Sequence, residues 1–149
     1  MKITIKTDPS VTETSVTIHA REIDEEVERI HRLVSLAAND VLKRIVGEAE
    51  SEARILDVDT IMRFHTEGRA VIAQTRSGSW RVRTRIKDLA SSLDPADFVQ
   101  INQGEIVNLN YVSKMDLSLS GTIRLRLADG TDCFVSRRSL GAFRQALSL

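Results

Sequence analysis

The chain has 149 residues, of which 42% are hydrophobic and 28% are charged, and its 21 basic and 21 acidic residues cancel. This composition is typical of an ordinary soluble protein with one domain, or with one domain and a short annex. The single cysteine, Cys133, excludes an internal disulfide and a zinc site built on paired cysteines. The N-terminal residues lack the apolar run of a secretory signal, and no segment reaches the ~20 apolar residues of a membrane span, so we expect a cytoplasmic protein.

The first 40 residues predict a hairpin followed by a helix. Alternating apolar residues at 3–5 and 16–18, with a turn-forming segment between them, are typical of two paired strands. Apolar residues then recur at helical spacing, which predicts a helix from about Glu22 to Ala38 with Asp24 as its cap. The helix either stops at 39–40 or continues to Gly47.

Short strands separated by turns are predicted for the rest of the chain. The predicted strands are 54–57, 61–65, 71–75, 80–83, 98–101, 112–119, 122–127 and 132–135. Two short helices are predicted near 86–93 and 137–147. The predicted fold class is therefore mainly β with short helices (α+β), arranged as a sheet sandwich or roll.

The charges are divided unequally between the two parts of the chain. Residues 1–59 contain 8 Lys or Arg and 13 Asp or Glu, a net of −5, whereas residues 60–149 contain 13 and 8, a net of +5. Of the latter 13 basic residues, 11 are Arg, which is suited to bidentate contacts with phosphate and guanine. This asymmetry indicates either a nucleic-acid-binding region or solvated strand faces with surface ion pairs, and charge alone does not separate the two.

The sequence contains no recognisable catalytic or metal-binding pattern. It has neither a P-loop nor a GxGxxG phosphate loop, and His19, His31 and His65 do not have metal-ligand spacing. Cys133 lies within a predicted strand and is expected to be a small core residue. We therefore predict no enzymatic activity, no metal and no cofactor.

Polar and basic side chains at predicted turns form the candidate site instead. Arg69 follows a glycine at a strand start, Asn102-Gln103-Gly104 is a polar loop, and Arg137 and Arg138 begin the last helix. Arg and Gln on such well-supported positions can read guanine and adenine edges, and main-chain N–H groups at a helix start can hold a phosphate.

A family signature runs through the second part of the chain. Its residues are, in order, Phe98, the loop Asn102–Gly104, Ile106-Val107-Asn108-Leu109, Asp129-Gly130 and Val135-Ser136-Arg137. On this order and spacing the chain resembles the LytTR DNA-binding domain over residues 41–149. Residues 1–40 resemble the hairpin-and-helix annex of small stand-alone members, without a receiver domain.

The resemblance implies a specific fold and site. The fold would be stacked antiparallel sheets whose loops reach successive major grooves on one face of DNA. Base-reading residues would be Arg69, Gln103 and Arg138. Further DNA-binding positions would be Asn102 in the loop and, as phosphate contacts or sheet-surface residues, Arg83, Arg85 and Arg137. Family members commonly carry Arg where this chain has Gln100, which suggests an altered target preference.

The resulting functional hypothesis is a sequence-specific transcription regulator. It would bind tandem sites in double-stranded DNA as a homodimer. The alternative is a protein-interaction module whose acidic N-terminal part docks a regulatory partner, which in stand-alone members of the family is often a membrane protein. The two functions are compatible.

Overall fold

The computed structural model describes residues 1–38 and 41–149, apart from the side chain of Leu36. The chain divides into two compact units, Met1–Asn39, called the N-terminal unit, and Asp40–Leu149, called the β unit. The predicted helix end at 39–40 lies outside the described residues. No helix in the described residues is long and apolar enough to cross a bilayer.

The N-terminal unit contains one helix, α1 (Glu25–Ala38), and its predicted cap is confirmed, since Val27 N donates to Asp24 Oδ1 at 2.9 Å. The predicted hairpin is wrong, because no strand precedes α1 in the described residues. Ile3 and Ile5 are 79% and 87% exposed, so the alternating residues have no surface to cover. A lone hairpin without a buried face is only marginally stable in water, which explains the absence of strands.

The described part of the β unit contains ten strands and two α-helices. The strands are β1 (Arg44–Ala49), β2 (Glu52–Asp57), β3 (Ile61–Glu67), β4 (Ala70–Thr75), β5 (Gly78–Val82), β6 (Phe98–Asn102), β7 (Glu105–Asn108), β8 (Val112–Asp116), β9 (Ile123–Leu127) and β10 (Asp132–Val135). The helices are α2 (Ile86–Ser92) and α3 (Leu140–Ala146), and 3-10 turns occupy Val58–Thr60, Leu109–Tyr111 and Arg137–Ser139. Because β1 is a strand, the continuation of α1 to Gly47 is excluded.

The strands form two sheets in which every pairing is antiparallel. The seven-stranded sheet has the order β2-β1-β5-β4-β3-β7-β6, and the three-stranded sheet has the order β10-β9-β8. The predicted fold class, mainly β with short helices in antiparallel sheets, is confirmed.

Two hydrophobic cores lie on opposite faces of the larger sheet. The first packs that sheet against α2 and includes Phe64, Phe98 and Ile106. The second packs β3, β6 and β7 against the small sheet and α3, and includes Val107 and Phe143. Strands buried on both faces need consecutive apolar residues rather than alternation, which accounts for the pairs at 98–99 and 106–107. These strands hold the turns described next on a rigid base.

Candidate nucleic-acid interface

Five neighbouring strands bring three predicted loops to one end of the large sheet. In the order β5-β4-β3-β7-β6 the chain direction alternates, so the ends of β5, β3 and β6 lie beside the starts of β4 and β7. This end therefore carries the β5–α2 junction, the β3–β4 turn and the β6–β7 turn. With the segment after β10 that adjoins it, we call this end the loop edge. The predicted site residues on it are Arg69, Arg83, Arg85, Asn102, Gln103, Arg137 and Arg138.

The β6–β7 turn is packed directly on the end of β3. Thr66 N donates to Gly104 O at 2.8 Å. A β-carbon on Gly104 would lie 2.4 Å from Thr66 Oγ1, so any larger residue here would force the Thr66 hydroxyl to move. The contact fixes Gln103, one residue earlier, relative to the turn that carries Arg69.

The segment after β10 is joined to the end of β6. Ser136 N donates to Ile101 O at 2.8 Å, and Asn102 Nδ2 donates to Phe134 O at 3.3 Å. Ser136 also caps the following 3-10 turn, because its Oγ accepts from Ser139 N at 3.3 Å. Arg137 and Arg138 therefore begin next to the end of β6, and the loop edge continues onto the small sheet.

The predicted residues differ in how free their side chains are. Six of them are exposed, and these are Arg69, Arg83, Arg85, Gln103, Arg137 and Arg138. Asn102 is half-buried and its amide is used internally: Nδ2 also donates to Glu105 Oε1 at 3.3 Å, and Oδ1 accepts from Gly104 N at 2.9 Å. Asn102 thus shapes the turn that presents Gln103.

Two of the exposed arginines have identifiable neighbours. Arg83 forms an ion pair with Glu48 at 2.8 Å, although its side chain remains 85% exposed. The guanidinium of Arg137 lies against Gly121, where a β-carbon would be 3.0 Å from Arg137 Nε. The edge also carries one exposed carboxylate, Glu67, at the end of β3. An exposed ion pair contributes little to stability, so Arg83 can exchange Glu48 for another anion.

Several arginines within the strands are neutralised, in contrast to those of the loops. Arg63 is largely buried, forms an ion pair with Glu105 and donates from Nε to Gln74 Oε1 at 2.6 Å. Gln74 in turn donates from Nε2 to Asp129 Oδ2 at 2.6 Å, which ties the β9–β10 turn to β4. This network was missed by sequence reasoning, and it has no sequence signal because its partners lie up to 55 residues apart.

Arginines of the small sheet are also paired. Arg124 contacts Asp116 and Arg126 contacts Asp132, each at 2.9 Å. On the loop edge, by contrast, Arg69, Arg85, Arg137 and Arg138 form no ion pair within the described residues.

Cys133 and His65 are the cysteine and the histidine of the β unit with shifted pKa values. Cys133 is buried, and burial raises the pKa of its thiol to about 12, so it is protonated at neutral pH and is not an activated nucleophile. Burial, followed by the nearby Arg63, lowers the pKa of His65. Within residues 1–38 and 41–149, no group of three or more His, Cys, Asp or Glu side chains is placed to hold a metal ion.

Known proteins resemble this chain in sequence and in fold. Residues 51–148 match the family model described as LytTr DNA-binding domain. Proteins named as uncharacterized HTH-type transcriptional regulators in Staphylococcus aureus strains NCTC 8325 and COL are 30% identical over 151 residues, covering 100% of this chain and 99% of each relative. A solved chain from Bacillus cereus, described as the LytTr DNA-binding domain of a methyl-accepting/DNA response regulator, has a TM-score of 0.70 at 14% identity, covering 72% of this chain and 99% of that chain.

Proposed function

The chain belongs to the LytTr DNA-binding domain family, and from that premise we propose that it is a transcription regulator that reads the major groove of DNA through the loop edge. The observation that carries the proposal is that all six exposed site residues lie along one edge of a rigid β scaffold. Base edges are read by side chains held in a fixed register on the duplex, which such an edge provides.

The dimensions of the edge suit one side of a duplex. From β5 to β6 there are four strand intervals, or ~19 Å at the usual spacing between strands. The segment after β10 extends this row onto a second sheet, and packed sheets lie ~10 Å apart. The row is therefore wider than one major groove, which is ~12 Å across, so its loops can meet a groove and the phosphates beside it.

Different residues have different proposed roles. Arg69, Gln103 and Arg138 contact base edges, because Arg pairs with guanine and Gln with adenine through two hydrogen bonds each. Arg83, Arg85 and Arg137 contact phosphates and supply salt-dependent affinity. Asn102 contributes by holding the turn of Gln103, since its amide is already bonded within the protein. Binding of this kind uses no catalytic group and no cofactor.

The test is DNA binding by single variants, measured by gel shift on the promoter of this gene. Arg138→Ala should weaken binding by about 1–3 kcal/mol, which is roughly 5- to 150-fold, and should relax specificity at one base pair. Arg85→Ala should weaken binding to all sequences and reduce the salt dependence by about one ion.

The matched control is Arg76→Ala, because Arg76 is an exposed arginine in the β4–β5 turn, at the end of the sheet opposite the loop edge. Unchanged affinity in Arg138→Ala, or an equal loss in Arg76→Ala, would refute the assignment.

We further propose that two copies bind tandem sites as a homodimer. Strand β2 is an edge of the large sheet, and its Ile55 is 74% exposed beside Val46, its partner on β1, which is 53% exposed. An exposed apolar pair on an open strand edge favours association with another chain. Light scattering should give twice the chain mass for the wild type and the single chain mass for Ile55→Asp; a monomeric wild type at the concentrations used for DNA binding would refute the proposal.

The N-terminal unit is proposed to bind a membrane-protein partner, with the regulator itself in the cytoplasm. Helix α1 begins with three acidic residues, and Leu33 on it is 60% exposed. If the partner contacts this apolar position, full-length Leu33→Asp should still bind DNA. In a reporter assay it should no longer be inhibited by a membrane protein encoded next to this gene. Arg32→Ala, at a neighbouring exposed position, is the control. Inhibition that persists in Leu33→Asp contradicts this role.

A further inference from the structure

A cleft lies at the end of the β unit opposite the loop edge. It is formed where β4 ends and β5 begins, beside β2 and the 3-10 turn that contains Tyr111, and it has a volume of about 330 Å³. We call it the Trp80 cleft. Its principal lining residues are Arg54, Leu56, Thr75, Arg76, Trp80 and Tyr111. This volume is at the lower end of the range for small-molecule sites, about 300–1,000 Å³.

The cleft contains a buried hydrogen-bond donor without an acceptor. Trp80 is 8% exposed, and its Nε1 has no partner in the described part of the chain. A β-carbon on Gly78 would lie 4.0 Å from Nε1, so this nitrogen lies near the start of β5, where the cleft is formed. A buried donor left unpaired costs about 1–3 kcal/mol, so an acceptor placed there would be stabilising.

Two arginines, each stacked on a different aromatic ring, give the cleft its charge. Arg54 stacks on the Trp80 ring at 5.0 Å from the centroid and forms an ion pair with Glu52 at 2.7 Å. Arg76 stacks on Tyr111 at 5.5 Å and has no carboxylate within ion-pairing distance among the described residues. The lining contains no Asp or Glu. The cleft therefore offers one unpaired guanidinium, one unpaired indole N–H and aromatic walls.

We propose that the Trp80 cleft binds a small organic carboxylate with an apolar body. One carboxylate can accept hydrogen bonds from both Trp80 Nε1 and Arg76, and guanidinium–carboxylate bonds are among the stronger ones in proteins. The aromatic faces and Leu56 would cover the apolar body of the ligand. This site is independent of the loop edge and of the DNA-binding proposal.

The protein carries its own reporter for this test, because Trp80 is its single tryptophan. Titration of the full-length protein with phenylacetate should change the Trp80 fluorescence in a saturable way. Phenylacetamide has the same body without the charge, and inorganic phosphate has charge without the body, so neither should saturate at the same concentrations. An equal response to phenylacetamide, or no saturation with phenylacetate up to millimolar concentrations, overturns the proposal.

Variants of full-length protein locate the site. Arg76→Gln should weaken phenylacetate binding by about 10-fold or more, as expected for a lost hydrogen bond to a charged group. Arg81→Ala, on the opposite face of β5, should leave it unchanged. Trp80→Phe, followed by calorimetry with circular dichroism as a check on folding, should weaken binding by about 2- to 10-fold, as for a lost neutral donor. Affinity that is unchanged in Arg76→Gln would refute this site.

Discussion

A methyl group added at Gly104 should disturb the β6–β7 turn and hence DNA binding. At an open position, Gly→Ala stabilises a protein by about 0.4–1 kcal/mol, because alanine has less freedom in the unfolded chain. Here the new carbon would lie 2.4 Å from Thr66 Oγ1, and overpacking of this kind costs about 1–3 kcal/mol. We therefore expect Gly104→Ala to lower the free energy of unfolding by about 1–2 kcal/mol.

A second substitution tests whether the contact with Thr66 is the cause. The Cβ and Cγ2 atoms of Thr66 lie 3.5 Å from the added carbon, so Thr66→Ala removes the clash with Oγ1 and leaves only an ordinary contact. The double variant should have a free energy of unfolding at least about 1 kcal/mol higher than the sum of the two single-variant effects predicts. Gly141→Ala in α3 is the control, because nothing lies within 4 Å of its added carbon, and it should stabilise by about 0.5–1 kcal/mol.

Urea unfolding followed by circular dichroism measures these free energies, and fluorescence anisotropy on a labelled promoter fragment measures DNA affinity. Displacing the turn moves Gln103, so Gly104→Ala should also weaken DNA binding, by about 1–3 kcal/mol if one base contact is lost. The reasoning is refuted if Gly104→Ala is more stable than the wild type, or if Thr66→Ala restores neither stability nor affinity.

Three further predictions concern the interior of the β unit. Burial lowers the pKa of His65 in the folded protein below its value of about 6.5 in the unfolded chain, so the unfolded chain binds a proton more readily. The free energy of unfolding should therefore decrease as the pH falls through about 6.5, which urea unfolding at neutral and mildly acidic pH measures. In His65→Gln this part of the pH dependence should be absent. A β-carbon at Gly47 would lie 2.6 Å from Trp80 Cβ and 2.7 Å from Leu56 Cδ1, so Gly47→Ala should destabilise by at least about 1–3 kcal/mol in urea, and a neutral effect would contradict the packing. Cys133 should resist a thiol reagent in the folded protein and react fully in denaturant; rapid labelling of the native protein would contradict its burial.

Most strands are predicted because their own residues signal them, whereas β1 and β7 are not among the predicted strands, and β1 lacks such a signal. In β1 the residues that face the core are Ile45 and Gly47, while Val46 points outward and is 53% exposed. A glycine on the buried face and a valine on the open face remove the alternation of apolar and polar residues on which strand prediction depends. The glycine is there because the Trp80 side chain packs directly over it, a contact between residues 33 positions apart.

The candidate site could be predicted as a set of turns but not as a set of contacts. Turn-forming residues indicate which side chains face solvent, and six of the seven predicted DNA-binding residues are exposed. The internal bonds of Asn102 could not be predicted, since one acceptor, Phe134 O, lies 32 residues away along the chain. A short side chain in a polar loop looks the same in sequence whether it faces solvent or closes the loop.

The arrangement of the helices supports the proposal that the loops read the DNA. A helix-turn-helix needs two successive helices joined by a short turn, but in the described part of this chain five strands separate α1 from α2 and five more separate α2 from α3. Helices α2 and α3 are about two turns long, and each fixes itself to a core through a fully buried residue, Leu89 and Phe143 respectively. If, as we propose, specificity comes from turns whose positions are set by backbone hydrogen bonds, contacts such as that between Thr66 and Gly104 should affect target choice as strongly as the side chains that touch the bases.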